Sequence, residues 1–190
     1  MKASKMLSVS LRLLVVGIFL FALIYPLLVG GIGQIWGNKL QGSPIEYRGR
    51  TVGSRLIGQE FSEPQYFHSR PSSIDYQATD SGSANLGPDN SELSERVENS
   101  LQQISENGSA AEMIPADLVT ESGSALDPHI SPEAAYVQIP RIADEAGIEV
   151  GELEKIVEEE VEPRFLGLYG GERVNVLELN LRLEEEVLNR

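Results

Sequence analysis

The chain contains no cysteine and very little histidine or tryptophan. Its 190 residues include one tryptophan and two histidines, His68 and His129. The absence of cysteine excludes disulfides, thiolate chemistry and cysteine-ligated metals. Two histidines also leave little for a zinc site, because zinc is usually held by several histidine or cysteine ligands. Stability and chemistry must therefore come from other residue types.

Basic residues are too few to balance the acidic ones. The formal net charge is −14 at pH 7, and Lys2, Lys5 and Arg12 contribute +3 near the N-terminus, so the rest of the chain carries −17. Binding to nucleic acid needs a basic surface, so this charge argues against a nucleic-acid partner. It also argues against a domain that lies flat on anionic lipid. Solubility is the simplest explanation of the acidic surface.

Charged residues are missing from one long stretch, residues 13–33, which reads LLVVGIFLFALIYPLLVGGIG. As a helix it is long enough to cross a hydrocarbon core of about 30 Å. A bilayer leaves backbone amides no water to bind, so the stretch must be helical there, with a local disturbance at Pro26. A cleaved signal peptide is the main alternative, but its apolar core would be shorter and residues 29–31 form a poor cleavage site. A buried core helix is disfavoured because the stretch lacks a polar face. We therefore expect an uncleaved anchor in the lipid bilayer.

Three basic residues precede this stretch and only Lys39 follows it closely. The positive-inside rule then places the N-terminus in the cytoplasm and the rest of the chain outside it. We expect a single-pass protein of the cell inner (plasma) membrane. The predicted segments are a basic cytoplasmic N-terminus at 1–12, a transmembrane helix at 13–35, a linker at 36–42 and an extracytoplasmic domain at 43–190.

Alternating patterns and turn residues predict the strands of this domain. Residues 45–48 and 51–57 form two short strands around Gly49, and residues 66–68 form a third. Residues 174–183 alternate leucine with polar side chains, which is typical of a half-buried strand. The residues after 183 are expected to fray.

Capping residues and helical spacing predict three helices. Asn90 or Ser91 caps the first, which Gly108 ends. Ser131 and the proline after it begin the second, and Pro140 is expected to break or kink it. The last two helices are predicted at 131–146 and 149–162. The side chains expected to face inward on the third helix are Val150, Leu153, Ile156, Val157 and Val161. The predicted fold class is a small mixed α+β domain behind one N-terminal transmembrane helix.

The polar loop at residues 72–90 contains a glycine-rich run that resembles a phosphate cradle. Backbone amides of such turns bind anions. The run lacks the Gly-Lys-Ser/Thr of a P-loop, and the predicted topology places it away from cytoplasmic ATP. We therefore favour a hydrogen-bonded docking loop over a nucleotide site. The candidate residues for either role are Ser81, Gly82, Ser83, Asn85, Gly87 and Asn90.

A second polar loop, residues 121–130, offers two chemical alternatives. Ser122, Asp127 and His129 have the residue types of a hydrolase, but the Gly-x-Ser-x-Gly elbow is missing. A metal could use Asp127 and His129 with Asp117 or His68. Because Asp127 lies two residues from His129, we favour a structural lock of the loop, with no catalytic residue and no metal. Structural or interaction roles are predicted for Pro26, His68, Arg70, Asp117, Asp127 and His129.

Five segments occur in the order found in one known family. They are YFHSRPS at 66–72, SGSANLGPDN at 81–90, IPADLVT at 114–120, GSALDPHISPEAA at 123–135 and VNVLELN at 174–180. Together they resemble the C subunit of the Kdp potassium-transporting P-type ATPases, over nearly the whole chain. Two departures are a loop reading Ser-Gly-Ser-Ala-Asn, where the family more often has Ser-Gly-Gly-Ser-Asn, and the helix proline Pro140.

The resemblance implies an accessory subunit with one membrane span and no catalytic site. Its implied partners are a potassium-selective, channel-like A subunit and an ATP-hydrolysing B subunit. It implies a role in assembly and activity, described for the family as that of a catalytic chaperone that raises the ATP affinity of the B subunit. No cofactor is expected to bind tightly, because the complex handles ATP and K⁺. The alternative is a membrane-anchored extracytoplasmic module that binds a small ligand.

Overall fold

The computed structural model describes residues 3–106 and 114–188. The chain divides into two compact units, Met1–Ser43 and Pro44–Arg190. The first is helical, and the second contains both helices and strands. The α+β prediction is thus confirmed.

From Ala3 to Gly33 the first unit is one continuous helical segment. Helix α1 spans Ala3–Ile18, a π-helical turn covers Phe19–Ile24, and helix α2 spans Tyr25–Gly33. Pro26 lies in the first turn of α2, where its missing N–H follows the π-helical turn. A π turn shifts the hydrogen-bond ladder by one residue, which accommodates the interruption that proline causes.

The segment Ala3–Gly33 is long and apolar enough to cross a membrane, and none of its most apolar 18-residue stretch is buried. A 3-10 helix, Gln34–Gln41, follows and has a non-helical residue at Gly37 (φ 45°). The predicted linker is therefore mostly a tight helical turn with a break at one glycine.

The second unit begins with an antiparallel hairpin. Strand β1 is Pro44–Tyr47 and β2 is Arg50–Ser54, paired from Tyr47 opposite Arg50. Arg48 and Gly49 both have positive φ, which is the geometry of the two-residue hairpin turn. The hairpin prediction is confirmed, although β2 ends three residues earlier than expected.

Helix α3, Ser91–Glu106, begins at the cap that the sequence predicted. Asn90 Oδ1 accepts the backbone N–H of Glu92 at 2.8 Å, and the Asn90 N–H donates to the Gly87 carbonyl at 3.0 Å. Gly87 and Asn90 thus form the turn before α3. The end predicted at Gly108 lies outside the described residues.

Helix α4, Pro132–Ala146, runs through Pro140 without a break. Of the two predicted effects of this proline, a break or a kink, the break is therefore wrong and the kink stays a prediction. Proline 140 is exposed, as is Tyr136, whose carbonyl is the acceptor that a residue at position 140 would have used. Because both residues are exposed, water can replace the missing N–H as the donor to that carbonyl. At the start of the helix, Ser131 Oγ accepts the Ala134 N–H at 3.1 Å as predicted.

Helix α5 spans Val150–Glu160, with Leu153, Ile156 and Val157 buried as expected. Val150 was also expected to face inward, but it is 44% exposed. It is the first residue of the helix, where the side chain covers the preceding turn instead of the core.

The strand predicted over residues 174–183 is wrong. Only Val174–Asn175 is extended; it forms β4 and pairs with β3, His129–Ile130. Asn175 Oδ1 accepts the Glu178 N–H at 3.3 Å and so caps helix α6, Val176–Leu183. Leu179 and Leu183, four residues apart, share the buried face of this helix with Val176 and Asn180, so the same leucines that alternate in sequence also fit a helix. The predicted fraying is also wrong for residues 184–188, which continue as a π-helical turn.

The third strand, predicted at residues 66–68, is also wrong. The backbone N–H and carbonyl of its central residue, Phe67, are nevertheless both hydrogen-bonded, as they would be in a sheet. The Phe67 N–H donates to Asn180 Oδ1 at 2.8 Å, and Asn180 Nδ2 donates to the Phe67 carbonyl at 2.9 Å. A side-chain amide therefore replaces the neighbouring strand, and both atoms of a buried backbone segment are satisfied.

The core forms where α4, α5 and α6 pack with the short β3–β4 pair. Burial of these side chains is the main stabilising contribution. The buried apolar residues that form this core cluster are Phe67, Leu118, Ile130, Ala134, Ala135, Ile139, Ile142, Leu153, Ile156, Val157, Val174, Val176, Leu179 and Leu183.

Candidate functional site

The loop at residues 121–130 is fixed at both ends of its Leu126–Pro128 segment. The Gly58 N–H donates to the Leu126 carbonyl at 2.8 Å, and the Val176 N–H donates to the Pro128 carbonyl at 3.0 Å. A Cβ on Gly58 would lie 2.8 Å from the Asp127 carbonyl oxygen, so the two backbones approach as closely as glycine allows. The Asp127 side chain is thereby held in one place.

Arg70, Asp127 and His129 lie together; the sequence predicted the proximity of Asp127 and His129 but not the contact with Arg70. Arg70 Nη1 contacts Asp127 Oδ2 at 3.4 Å, and Nη2 donates to the carbonyls of Thr120 and Glu121 at 3.4 and 3.2 Å. Asp127 Oδ1 accepts both the backbone N–H and Nδ1 of His129, each at 3.1 Å. Hydrogen bonding from His129 lowers the pKa of Asp127, with the Arg70 charge adding to the effect. We call the contacts among Arg70, Asp127 and His129 the polar lock. It connects three segments of the chain: the one around Arg70, residues 120–121 and residues 127–129.

Ser122 lies beside the lock but does not complete a nucleophile–base pair. Its Oγ is 3.3 Å from Ser124 Oγ and accepts the Asp127 N–H at 3.4 Å. In the described part of the chain no hydrogen bond joins Ser122 to His129. The activation of a serine needs that contact, so this geometry does not favour the hydrolase alternative.

Asp117 and His68 have separate structural partners. Asp117 accepts the backbone N–H and the hydroxyl of Ser131 at 2.6 and 3.2 Å, which fixes the start of α4. The His68 N–H donates to Gln138 Oε1 at 2.7 Å, and its ring lies 3.2 Å from the Glu63 carbonyl. Burial lowers the pKa of His68. Within residues 3–106 and 114–188, no three His, Asp or Glu side chains group closely enough to hold a metal ion.

The glycine-rich loop surrounds a carboxylate of the same chain. Glu121 Oε1 accepts Ser83 Oγ at 2.8 Å and the Ala84 N–H at 3.2 Å, with Arg96 Nη1 at 3.7 Å. Burial alone would raise the pKa of Glu121, but hydrogen bonds from Ser73, Ser83 and Ala84 lower it overall. Glu121 therefore takes up the Ser83 hydroxyl and the Ala84 N–H as hydrogen-bond donors. The sequence reasoning missed this residue, because an acid in a Ser/Gly-rich loop looks solvated.

Two further candidates of this loop, Ser81 and Gly82, bond to Ser124, whereas Asn85 bonds within the loop. The Gly82 N–H and Ser81 Oγ both donate to the Ser124 carbonyl, at 3.0 and 3.3 Å. Gly82 has φ 143°, a conformation that favours glycine. The Asn85 N–H donates to Ser83 Oγ at 3.2 Å. The loop is thus extensively hydrogen-bonded to its neighbour.

A separate cavity of about 400 Å³ is bordered by His68, Gln138 and Arg141. Arg141 is only 7% exposed, and it donates to the carbonyls of Pro64 and Tyr66 and to Gln138 Oε1. Burial lowers the pKa of Arg141 to about 10. Sequence reasoning missed Arg141, because an arginine on an amphipathic helix is usually solvated.

These features define a class of protein: a chain with one candidate membrane span, followed by a small α+β domain whose polar loops are fixed by internal hydrogen bonds. A family model described as "K+-transporting ATPase, c chain" matches residues 7–185. The chain therefore belongs to the KdpC family, and the resemblance is confirmed.

Three relatives carry the name "Potassium-transporting ATPase KdpC subunit". The protein of Caldanaerobacter subterraneus subsp. tengcongensis is 43% identical over 94% of each chain. That of Bacillus cytotoxicus is 46% identical over 93% of each chain, and that of Bacillus mycoides 44% over 97%. Each match covers nearly the full length of both proteins. The chain is accordingly a subunit of a potassium-transporting ATPase complex.

Proposed function

We propose that this chain is the accessory, non-catalytic subunit of a high-affinity, ATP-driven potassium uptake complex, needed for its assembly and activity. The observation that carries the proposal is the family match over residues 7–185, which includes both the apolar helix and the domain. Its partners are a potassium-selective, channel-like A subunit and an ATP-hydrolysing B subunit. The chain binds no cofactor tightly, and the complex handles ATP and K⁺.

The anchor lies in the cell inner membrane with the N-terminus in the cytoplasm. Support comes from the distribution of basic residues, with Lys2, Lys5 and Arg12 before the apolar helix and Lys39 after it. In this orientation the acidic domain faces outward, on the side from which K⁺ enters.

Any effect of the chain on the ATP affinity of the B subunit is indirect. Glu121 supports this, because its carboxylate already receives the Ser83 and Ala84 donors that a phosphate would need. A second negative group there would meet like-charge repulsion. The catalytic-chaperone role therefore works through contacts between subunits.

The first experiment is mild detergent extraction with an affinity tag after Arg190. Recovery of the A and B subunits, with potassium-stimulated ATP hydrolysis, is the expected result. If the chain is recovered alone from cells shown to express both partners, the subunit proposal fails. In that case the cavity beside Arg141 makes a small-ligand-binding module the next hypothesis, and native mass spectrometry would look for the ligand.

The absence of cysteine allows a clean test of topology. Single cysteines would replace Glu158, which is exposed on α5, and Ser4 in α1 as the matched control. A membrane-impermeant maleimide should label position 158 in intact cells and position 4 only after permeabilisation. The reverse pattern would place the domain in the cytoplasm.

Nucleotide contact can be tested directly with a photoreactive azido-ATP on the assembled complex. We expect the label on the B subunit and none on peptides that contain residues 81–90. Label on those peptides, lost in the presence of excess ATP, would contradict an indirect effect.

A further inference from the structure

Residues 162–173 form a hairpin with a firmly held base. The Glu162 N–H donates to the Arg173 carbonyl at 2.8 Å, and the reverse bond is 3.2 Å. The same two side chains form an ion pair at 2.7 Å, and Arg55 contacts the Glu162 carboxylate at 2.8 Å. The hairpin therefore leaves the domain from a fixed point.

Its tip, residues 165–169, presents four large apolar side chains to solvent. Phe165 and Tyr169 exchange backbone hydrogen bonds of 2.9 and 3.0 Å around the turn. The exposed fractions are 71% for Phe165, 75% for Leu166, 77% for Leu168 and 66% for Tyr169. An apolar cluster of this kind on a soluble surface is typical of a contact site.

The turn also contains a leucine, Leu166, in a backbone conformation that is unfavourable for leucine. Leu166 has φ 54° and Gly167 has φ 71°. Glycine or asparagine is preferred at such positions, because the Cβ of other residues meets the backbone there. A leucine gains nothing from the core in return, since it is exposed. Strain of this kind points toward function.

The tip contributes nothing to the packing of its own domain. None of its four side chains belongs to the hydrophobic core or to the partly buried shell around it. Elsewhere among the described residues of the second unit, large exposed apolar side chains occur singly, at Leu56, Tyr136 and Val150. The hairpin tip is the one place in residues 44–106 and 114–188 where such side chains gather.

We infer that the hairpin tip inserts into an apolar pocket with an acidic rim on another subunit of the same potassium-transporting complex; this inference rests on the proposed function. Family membership favours a protein as the partner of the tip, because a subunit of a complex needs a surface that contacts the other subunits. Arg164 is the reason to expect an acidic rim on the partner. This arginine is exposed beside the tip, and no ion pair is found for it among the described residues. A carboxylate on the partner would pair with it.

A lipid surface is the less favoured occupant. The chain after the basic N-terminus carries −17, which anionic headgroups would repel. Within the hairpin, Glu162 and Glu172 also accompany the two arginines, so the tip lacks the excess of basic residues typical of a membrane-surface element.

The contact can be located by placing the photoreactive amino acid p-benzoylphenylalanine at Leu168 in the full chain, co-expressed with its partners. Irradiation of membranes should give a covalent product that mass spectrometry identifies as the chain joined to the A or B subunit. The same amino acid at Leu56, which is 58% exposed, is the matched control and should give at least ten times less. Cross-links to lipid, or equal yields at both positions, would overturn the inference.

Two variants separate a contact role from a structural one. Leu166→Asn relieves the unfavourable backbone conformation, so it should raise the melting temperature of the chain. It should also lower the recovery of partner subunits, at least five-fold when combined with Leu168→Ser. Leu56→Ser, the control, should leave recovery unchanged.

The outcomes distinguish this inference from the proposed function. If the wild-type chain recovers its partners and the hairpin variant does so equally well, the inference alone is overturned. If the wild-type chain recovers no partner, the proposed function fails and this inference fails with it.

Discussion

At the scale of single residues, the carboxylates of Asp127 and Glu121, which lie in the loops examined for catalysis or anion binding, hold those loops in place. Asp127 accepts two N–H groups of His129 and contacts Arg70. Glu121 accepts two donors from the glycine-rich loop. Each carboxylate is hydrogen-bonded in its ionised form, which lowers its pKa and links folding to pH.

Asp127→Asn should lower the free energy of unfolding by about 1 kcal/mol at pH 7, the usual contribution of a hydrogen bond. The folded state holds the Asp127 pKa below its ordinary value of 3.8, so this stabilisation is complete above that pH. It disappears as the pH falls through the lower, folded value. The difference between wild type and variant should therefore shrink in acid.

Urea unfolding of the full chain in detergent at several pH values would measure this. Asp89→Asn, at an exposed carboxylate, is the control and should change the free energy of unfolding at pH 7 by less than about 0.5 kcal/mol. A constant difference from pH 7 down to pH 2 would show that the Asp127 charge is not the linked group.

Asn180→Ala should be among the more damaging substitutions in the domain. Asn180 is 2% exposed, and its amide satisfies both backbone atoms of Phe67. Removing it leaves a buried donor and a buried acceptor unpaired, at a cost of roughly 1–3 kcal/mol each. We expect a loss of about 3 kcal/mol in thermal or urea unfolding. Asn99→Ala, exposed on α3, should change stability by less than about 0.5 kcal/mol; equal effects of the two would refute the role of the amide.

At the scale of elements, two errors of strand prediction share one cause. Residues 174–183 alternate, yet a cap at Asn175 starts α6 after two extended residues. Residues 66–68 have strand composition, but a side chain of α6, Asn180, takes the place of the partner strand. Both segments involve α6, which packs against α5 and β4 and reaches residue 67 through Asn180. Local pattern alone does not contain that information.

Pro140→Ala tests the energetics of the uninterrupted helix α4. Proline in a helix interior costs about 3 kcal/mol relative to alanine, partly offset by the smaller entropy of the unfolded chain. The substitution restores an N–H for the Tyr136 carbonyl at an exposed position, so no core packing is lost. We expect stabilisation of about 1–2 kcal/mol, seen as a higher melting temperature. A lower melting temperature would mean that the proline shape itself is required.

At the scale of the whole molecule, charge dominates the surface. The chain carries 29 acidic and 15 basic residues. Such an excess of one sign destabilises the compact state through self-repulsion, and salt at 0.1 M largely screens the repulsion between charges more than about 10 Å apart. The folded domain should therefore be sensitive to ionic strength.

Raising the salt concentration from about 10 to about 150 mM should raise the melting temperature, because screening weakens the repulsion. NaCl and KCl should act equally, since screening does not distinguish the two cations. A larger effect of KCl at equal ionic strength would contradict simple screening and would indicate a potassium site on this chain. Differential scanning calorimetry in a nonionic detergent would make the comparison.

Much of the fold follows from local chemistry. The apolar helix around Pro26, the turn at Gly49 and the caps at Asn90 and Ser131 appear where the sequence predicts them. Each depends on neighbours within four residues, such as a missing N–H, a glycine at positive φ or a side-chain acceptor. For the same reason, the proximity of Asp127 and His129 was predictable, since they are two residues apart.

The sequence by itself determined the class of the chain: one apolar helix, a small acidic α+β domain and membership of a potassium-transport family. Only the tertiary structure decided that residues 174–183 are mainly helix, that Glu121 fills the glycine-rich loop, that Arg141 is buried and that the tip at 165–169 stands exposed. The physical reason is distance along the chain. Asn180 and Phe67, or Glu121 and Ser83, lie far apart in sequence, and their hydrogen bonds form only when the whole core brings them together.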